Sequence, residues 1–168
     1  MNRYVVNNAA PQQGISLTGF THLAQTRGGG PLPAMARGGT STEVAPRQYK
    51  VIDLDGPNHG RLFAPGLITC AAMIIASTAR NAPPRAAVYH APSGTIASGV
   101  LESIRSALGK PRAASLLVAW VIARPWDQGD DSAVQKIVDY GVPADQVTGL
   151  ESSRASHFGI DSEGGIGI

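Results

Sequence analysis

From Tyr49 onward the apolar residues fall into short runs separated by turn residues. Tyr49-Lys50-Val51-Ile52-Asp53-Leu54 predicts a strand, closed by the turn Asp55-Gly56-Pro57-Asn58-His59-Gly60. Arg61-Leu62-Phe63-Ala64 predicts a second, ending at Pro65-Gly66. The apolar run from Leu67 to Ser77 has the length of a buried strand or a buried helical segment, and periodicity does not separate the two. After the breaker Arg80 to Arg85, Ala86-Ala87-Val88-Tyr89-His90 reads as a strand stopped by Pro92-Ser93-Gly94.

The second half alternates. Ile96, Val100, Ile104 and Leu108 recur every four residues, with Leu101 widening the face, and Gly109 and Pro111 end this helix. Ser115 to Ile122 is apolar at nearly every position, the pattern of a central strand covered on both faces. Asp131-Ser132 is the expected cap of a second helix that buries Val134, Ile137 and Val138 and stops at Gly141 and Pro143. Gln146 to Leu150 is a short strand, and Ser156 to Ile160 with Gly165 to Ile168 predicts a terminal hairpin. Strands clustered early and alternating with helices late predict an α+β fold. Its core is a layered, mixed or antiparallel β-sheet, with two main helices packed mainly on one side.

Residues 1–48 lack any sustained period and are rich in Gly, Pro and Gln, including Gly28-Gly29-Gly30 and Pro31-Leu32-Pro33. They read as a disordered leader to a folded domain at 49–168. That leader carries Arg3, Arg27, Arg37 and Arg47 against Glu43, a net +3, while the whole chain is only +2. An acid-poor segment of this kind suits a linker or a secretion or translocation leader. Without a large positive charge, a finger spacing or basic and aromatic residues interleaved, nucleic acid is not an expected partner. No apolar run reaches the ~18 residues of a membrane helix, and the N-terminus has no signal-peptide h-region.

Candidate chemistry narrows quickly. There is no GxxxxGK[ST], no HExxH and no GxSxG, so no nucleotide cofactor or metal is expected. The single cysteine, Cys70, excludes an internal disulfide, and by default it is a small buried apolar residue. His90 changes that picture, because the chain reversal near Asn81 to Pro84 returns it toward Cys70. An imidazole beside a thiol can take its proton and release the nucleophilic thiolate. A plain hairpin centred near Ala82 sets Gly94 opposite Cys70 and leaves His90 four rungs away. The pair therefore needs a bulge, or a helix starting at Cys70 whose dipole would favour the thiolate. Ser93 and the loop Asn58-His59 are candidates for a third group.

The sequence of a strand, a loop with glycine leading to Cys70, a turn, and a strand ending in His90 with Pro92 two residues on resembles the Cys-His protein glutamine deamidases. This family includes the chemoreceptor deamidase CheD and the catalytic domains of cytotoxic necrotizing factor and Burkholderia lethal factor. The resemblance spans residues 49–168, with Leu67-Ile68-Thr69-Cys70 where the family has a Ser-Gly-Cys or Gly-Ser-Cys approach. It implies a CheD-like fold, Cys70 as nucleophile and His90 as base, and hydrolysis of a glutamine amide on a protein substrate by a monomeric enzyme. With a leader such as residues 1–48, the expected setting is a secreted bacterial toxin or effector working in a host cytosol, with the bacterial cytoplasm as the alternative. The helper threonine of some members falls on Ala64; in others a backbone carbonyl orients the histidine, which here would come from Ala64 or a neighbour. The competing readings are another Cys-His acyl-transfer enzyme (a transglutaminase or cysteine protease) and a noncatalytic interaction domain.

Overall fold

The computed structural model describes residues 2–6, 15–16, 41–54, 60–77, 79, 84–152, 158–161 and 165–167. Eleven strands and two α-helices lie in this part of the chain. The strands are β1 (Asn2–Val6), β2 (Ile15–Ser16), β3 (Ser41–Glu43), β4 (Tyr49–Asp53), β5 (Arg61–Ala64) and β6 (Ala71–Ser77). They continue as β7 (Arg85–Ala91), β8 (Leu116–Ile122), β9 (Val147–Ser152), β10 (Phe158–Asp161) and β11 (Gly165–Gly167). The helices are α1 (Val100–Ala107) and α2 (Gln128–Tyr140).

The strands form two sheets, one ordered β1-β9-β8-β6-β7-β4 and the other β2-β11-β10-β5-β3. In the larger sheet β4, β7, β6 and β8 are antiparallel, while β8, β9 and β1 run parallel. The fold is therefore mixed and layered, α+β as the element pattern predicts.

Alternation along the strands decides what each face covers. Ala72, Ile74 and Ala76 of β6 and Val88 of β7 face the smaller sheet, packing with Leu62, Ala64, Phe158 and Ile160. Met73 and Ile75 face the helices, packing with Trp120, Ile104, Leu108, Val134 and Ile137. Each such fully buried aliphatic side chain contributes about 1.5–3 kcal/mol relative to exposure. Within the smaller sheet the paired strands β5 and β10 approach so closely that a Cβ on Gly159 would lie 1.8 Å from the Leu62 carbonyl oxygen.

Three sequence expectations shift. The first helix begins at Val100, not Ile96, because Gly99 takes a left-handed conformation (φ 81) at its N-cap; Ile96 is still buried ahead of it. The second begins four residues early. Asp127, not Asp131, caps it, accepting from Gly129 N (2.8 Å) and Asp130 N (3.2 Å), while the Asp130 carboxylate accepts from Asp127 N (3.0 Å). That reciprocal arrangement is a capping box with aspartate in place of the usual glutamate. The apolar run after Leu67 resolves as a turn over 67–69 followed by β6, which has partners on both sides. Within residues 1–48, β1 extends the larger sheet, β3 joins the smaller one, and Val44 is fully buried.

Candidate active site

Cys70 immediately precedes β6, whose first residue, Ala71, pairs with Ala91 of β7 and Ile122 of β8. The thiol is free and half-buried, packed against the core between the sheets. Ile68, two residues earlier, is 69% exposed, so the turn leading to Cys70 reaches solvent.

His90 pairs with Ala72 across the β6–β7 ladder. Cys70 is two residues before Ala72, so Cys70 and His90 lie on the same face as diagonal neighbours. Such pairs have α-carbons about 7–8 Å apart and are within side-chain reach. The hairpin register places Pro92, not Gly94, in the position facing Cys70, two residues from His90 rather than four. Neither a bulge nor a helical start at Cys70 is needed. The helix-dipole argument drops out with it, since Cys70 leads into a strand.

The His90 ring is almost wholly enclosed, 2% exposed. Its Nδ1 lies 2.9 Å from the Val44 carbonyl oxygen. A carbonyl can only accept, so Nδ1 carries the ring hydrogen and the neutral imidazole keeps its lone pair on Nε2. Nε2 is buried with no hydrogen-bond partner. The backbone is equally constrained. His90 N donates to Gln48 O (3.0 Å), Arg47 N donates to His90 O (2.9 Å), and Val44 N donates to Phe63 O (2.8 Å). The segment from β3 to β4 thus clamps the histidine between the two sheets.

Among the described residues only three besides glycine have a clearly positive φ, and two flank His90: Arg47 (φ 68) and Ser93 (φ 52). Left-handed backbone at non-glycine residues costs of order 1–3 kcal/mol and persists only where the surroundings enforce it.

The orienting carbonyl is Val44, not Ala64, whose strand pairs with β10. Sequence reasoning missed it because Val44 belongs to the acid-poor stretch that lacks any period. Ser93 is the exposed residue of the Pro92–Gly94 turn, and its hydroxyl makes no hydrogen bond among the described residues. Asn58 and His59 lie outside the described residues.

A second buried polar group stands on the helix side of the same strand ends. Asp130 is 0% exposed. Its Oδ1 accepts from Trp120 Nε1 (2.9 Å) and Arg124 Nη2 (2.9 Å), its Oδ2 from Arg124 Nη1 (2.7 Å) and Asp127 N (3.0 Å). Burial pushes its carboxyl up, but the bonds from Arg124, Trp120 and Asp127 hold it below the usual carboxylate range overall.

A cleft of about 450 Å³ opens elsewhere, lined by Ile96, Leu101, Glu102, Lys136 and Tyr140 among others. Its charged groups have partners: Glu102 accepts from Arg105 and the Tyr140 hydroxyl, Lys136 donates to the Ile96 carbonyl, and Asp139 accepts from Gln135. Neither Cys70 nor His90 lines it, and it carries no reactive group comparable to theirs. Among the described residues no group of three or more His, Cys, Asp or Glu is placed to hold a metal ion. No helix there is long and apolar enough to cross a membrane.

No family model matches the sequence, and no curated protein is similar to it. Among solved structures, the chain is similar to the Bacillus licheniformis hypothetical protein YfiH, at 15% identity and a TM-score of 0.39. The match covers 60% of this chain and 49% of that one, so the chain spans about half the length of that structure. This is a weak likeness of fold and assigns no chemistry.

Proposed function

We propose that the protein hydrolyses a glutamine side-chain amide of another protein to glutamate, with Cys70 as nucleophile and His90 as general base and acid. The observation that carries this reading is the His90 ring: Nδ1 bonded to Val44, Nε2 buried without a partner, and a free thiol at the diagonal position on the same face.

Nε2 takes the proton from Cys70 Sγ, and the thiolate attacks the amide carbon. His90 returns the proton to the amide nitrogen, the C–N bond breaks and ammonia leaves. Water then adds to the thioester, giving one proton to Nε2; the C–S bond breaks as Nε2 passes that proton to Sγ, and the acid released loses its remaining proton to solvent as carboxylate. Backbone N–H groups at Cys70 and its neighbours are the donors proposed for the oxyanion. The glutamine substrate follows from the likeness to the deamidases. The setting as a secreted bacterial effector rests on the composition of residues 1–48.

Exposing a host lysate to wild type and to Cys70→Ser tests the reading by intact mass. Wild type alone should raise a protein's mass by about 1 Da, the difference between an amide and an acid, with ammonia released. Equal ammonia from both proteins removes the mechanism, and cleavage or crosslinking in place of the shift assigns the pair to a protease or a transglutaminase.

A further inference from the structure

We propose that Ser93 holds the substrate at this site: its hydroxyl accepts a hydrogen bond from the carboxamide N–H of the glutamine that Cys70 attacks. The inference rests on the function proposed above and adds the side chain that places the amide.

The turn that carries Ser93 is built without its hydroxyl. The Thr95 N–H and the Thr95 hydroxyl both donate to the Pro92 carbonyl, at 3.1 and 2.9 Å, and close the reversal. Both central residues are left-handed, Ser93 at φ 52 and Gly94 at φ 66, the pattern of a type I′ turn. Gly94 is buried, and a Cβ there would lie 2.8 Å from Arg124 Nη2, so the inner side of the turn rests on a guanidinium that Asp130 holds bidentately.

Such a turn needs a positive φ at residue 93, and glycine, asparagine or aspartate supplies it at least cost. The other non-glycine residues with positive φ have backbone reasons for it. The Arg47 N–H donates to His90 O (2.9 Å), and the Lys110 N–H donates to Arg105 O (3.0 Å) where α1 ends. Serine adds nothing to its turn except a hydroxyl, which is exposed and has no partner among the described residues. A costly residue kept in a fixed turn next to a reactive pair points to its side chain.

The ladder sets the reach. Ala71 pairs with Ala91, so Pro92 comes next opposite Cys70, and Ser93 follows it. Facing α-carbons lie about 4.5–5.5 Å apart and consecutive ones about 3.8 Å, so those of Cys70 and Ser93 are within about 9 Å. Two short side chains across that span leave room for one carboxamide.

Ser93→Ala and Ser93→Gly test this together in the full chain, because both remove the hydroxyl and only glycine relaxes the backbone. The probe is N-acetyl-Gly-Gln-Gly N-methylamide, whose one primary amide is the glutamine side chain. Both variants should lower kcat/KM for ammonia release about three- to tenfold, the loss of one neutral hydrogen bond. Cys70 alkylation by iodoacetamide should keep its wild-type rate, and Ser93→Gly should unfold at higher urea than Ser93→Ala. Full activity in Ser93→Ala overturns the proposal, and so does a loss confined to Ser93→Gly, which would belong to the backbone. Alkylation slowed in step with kcat/KM also overturns it, since the hydroxyl would then act on the thiol. Should Ser93→Gly fail to fold by circular dichroism, Ser93→Ala decides alone. If wild type leaves the peptide intact, its protection of Cys70 from iodoacetamide is compared instead: weaker protection in Ser93→Ala supports the proposal, and equal protection overturns it. No protection of either protein removes the glutamine reading and this assignment together.

Discussion

Asp130 and His90 are buried polar groups at the same end of one sheet, on opposite faces, and they are finished differently. Both oxygens of Asp130 are filled, by Trp120, Arg124 and the cap of α2. His90 has one nitrogen filled by Val44 and the other empty. A buried polar atom without a partner costs about 1–3 kcal/mol. On the function proposed above, the comparison separates a group that holds the structure from one kept ready for a proton.

Substitutions should divide along that line. The largest effect falls on activity: His90→Ala should lower ammonia release by about 10²–10⁴-fold, the usual contribution of a general base, while the protein stays folded. Turnover within tenfold of wild type would make His90 an ordinary core histidine. Asp130→Ala should act on stability instead, costing about 3–5 kcal/mol in urea unfolding, because it leaves the Arg124 cation and the Trp120 N–H without their acceptor. If His90→Ala costs more stability than Asp130→Ala, the contrast is reversed.

Gly94 joins the two faces. Gly94→Ala should cost about 1–2 kcal/mol, since φ is +66 and the new methyl meets Arg124. It should also slow Cys70 alkylation, whereas Gly66→Ala, equally left-handed but with open space at its Cβ, should cost stability by the same backbone term and leave alkylation alone. The smallest effect is on acid stability. The Asp130 carboxyl is held below its ordinary value, so its contribution is complete above about pH 4 and is lost as pH falls through the lower, folded value. Asp130→Asn should flatten the pH dependence of unfolding in that acid range and leave it unaltered near neutrality.

Much of the fold is legible in the chain because alternation and turn residues are local signals. Leu116 to Ile122, apolar throughout, is central and buried, and β10 and β11 pair antiparallel as the terminal hairpin requires. Cys70 and His90 are legible as a pair for the same reason, since a reversal between two strands brings their ends together. The register is not, because it is set by a turn whose length the composition of Arg80 to Pro84 does not fix. Val44 is hidden for a deeper reason. Its contribution to His90 is a backbone carbonyl, which any residue supplies, and it is delivered from a different sheet. Arg124 and Asp130 show a little more: Asp127 and Asp130 have capping-box spacing, a signal that Asp131-Ser132 obscured.

The central claim is that Cys70 and His90 form a reactive pair at a surface that solvent reaches. The rate of Cys70 alkylation by iodoacetamide in the native protein at neutral pH measures this most directly, with His90→Ala alongside. The account predicts modification of the folded wild type at least about tenfold faster than of His90→Ala, as expected when the base that releases the thiolate is lost. Equal rates in the two proteins, or a wild-type thiol that reacts only after unfolding, would contradict it.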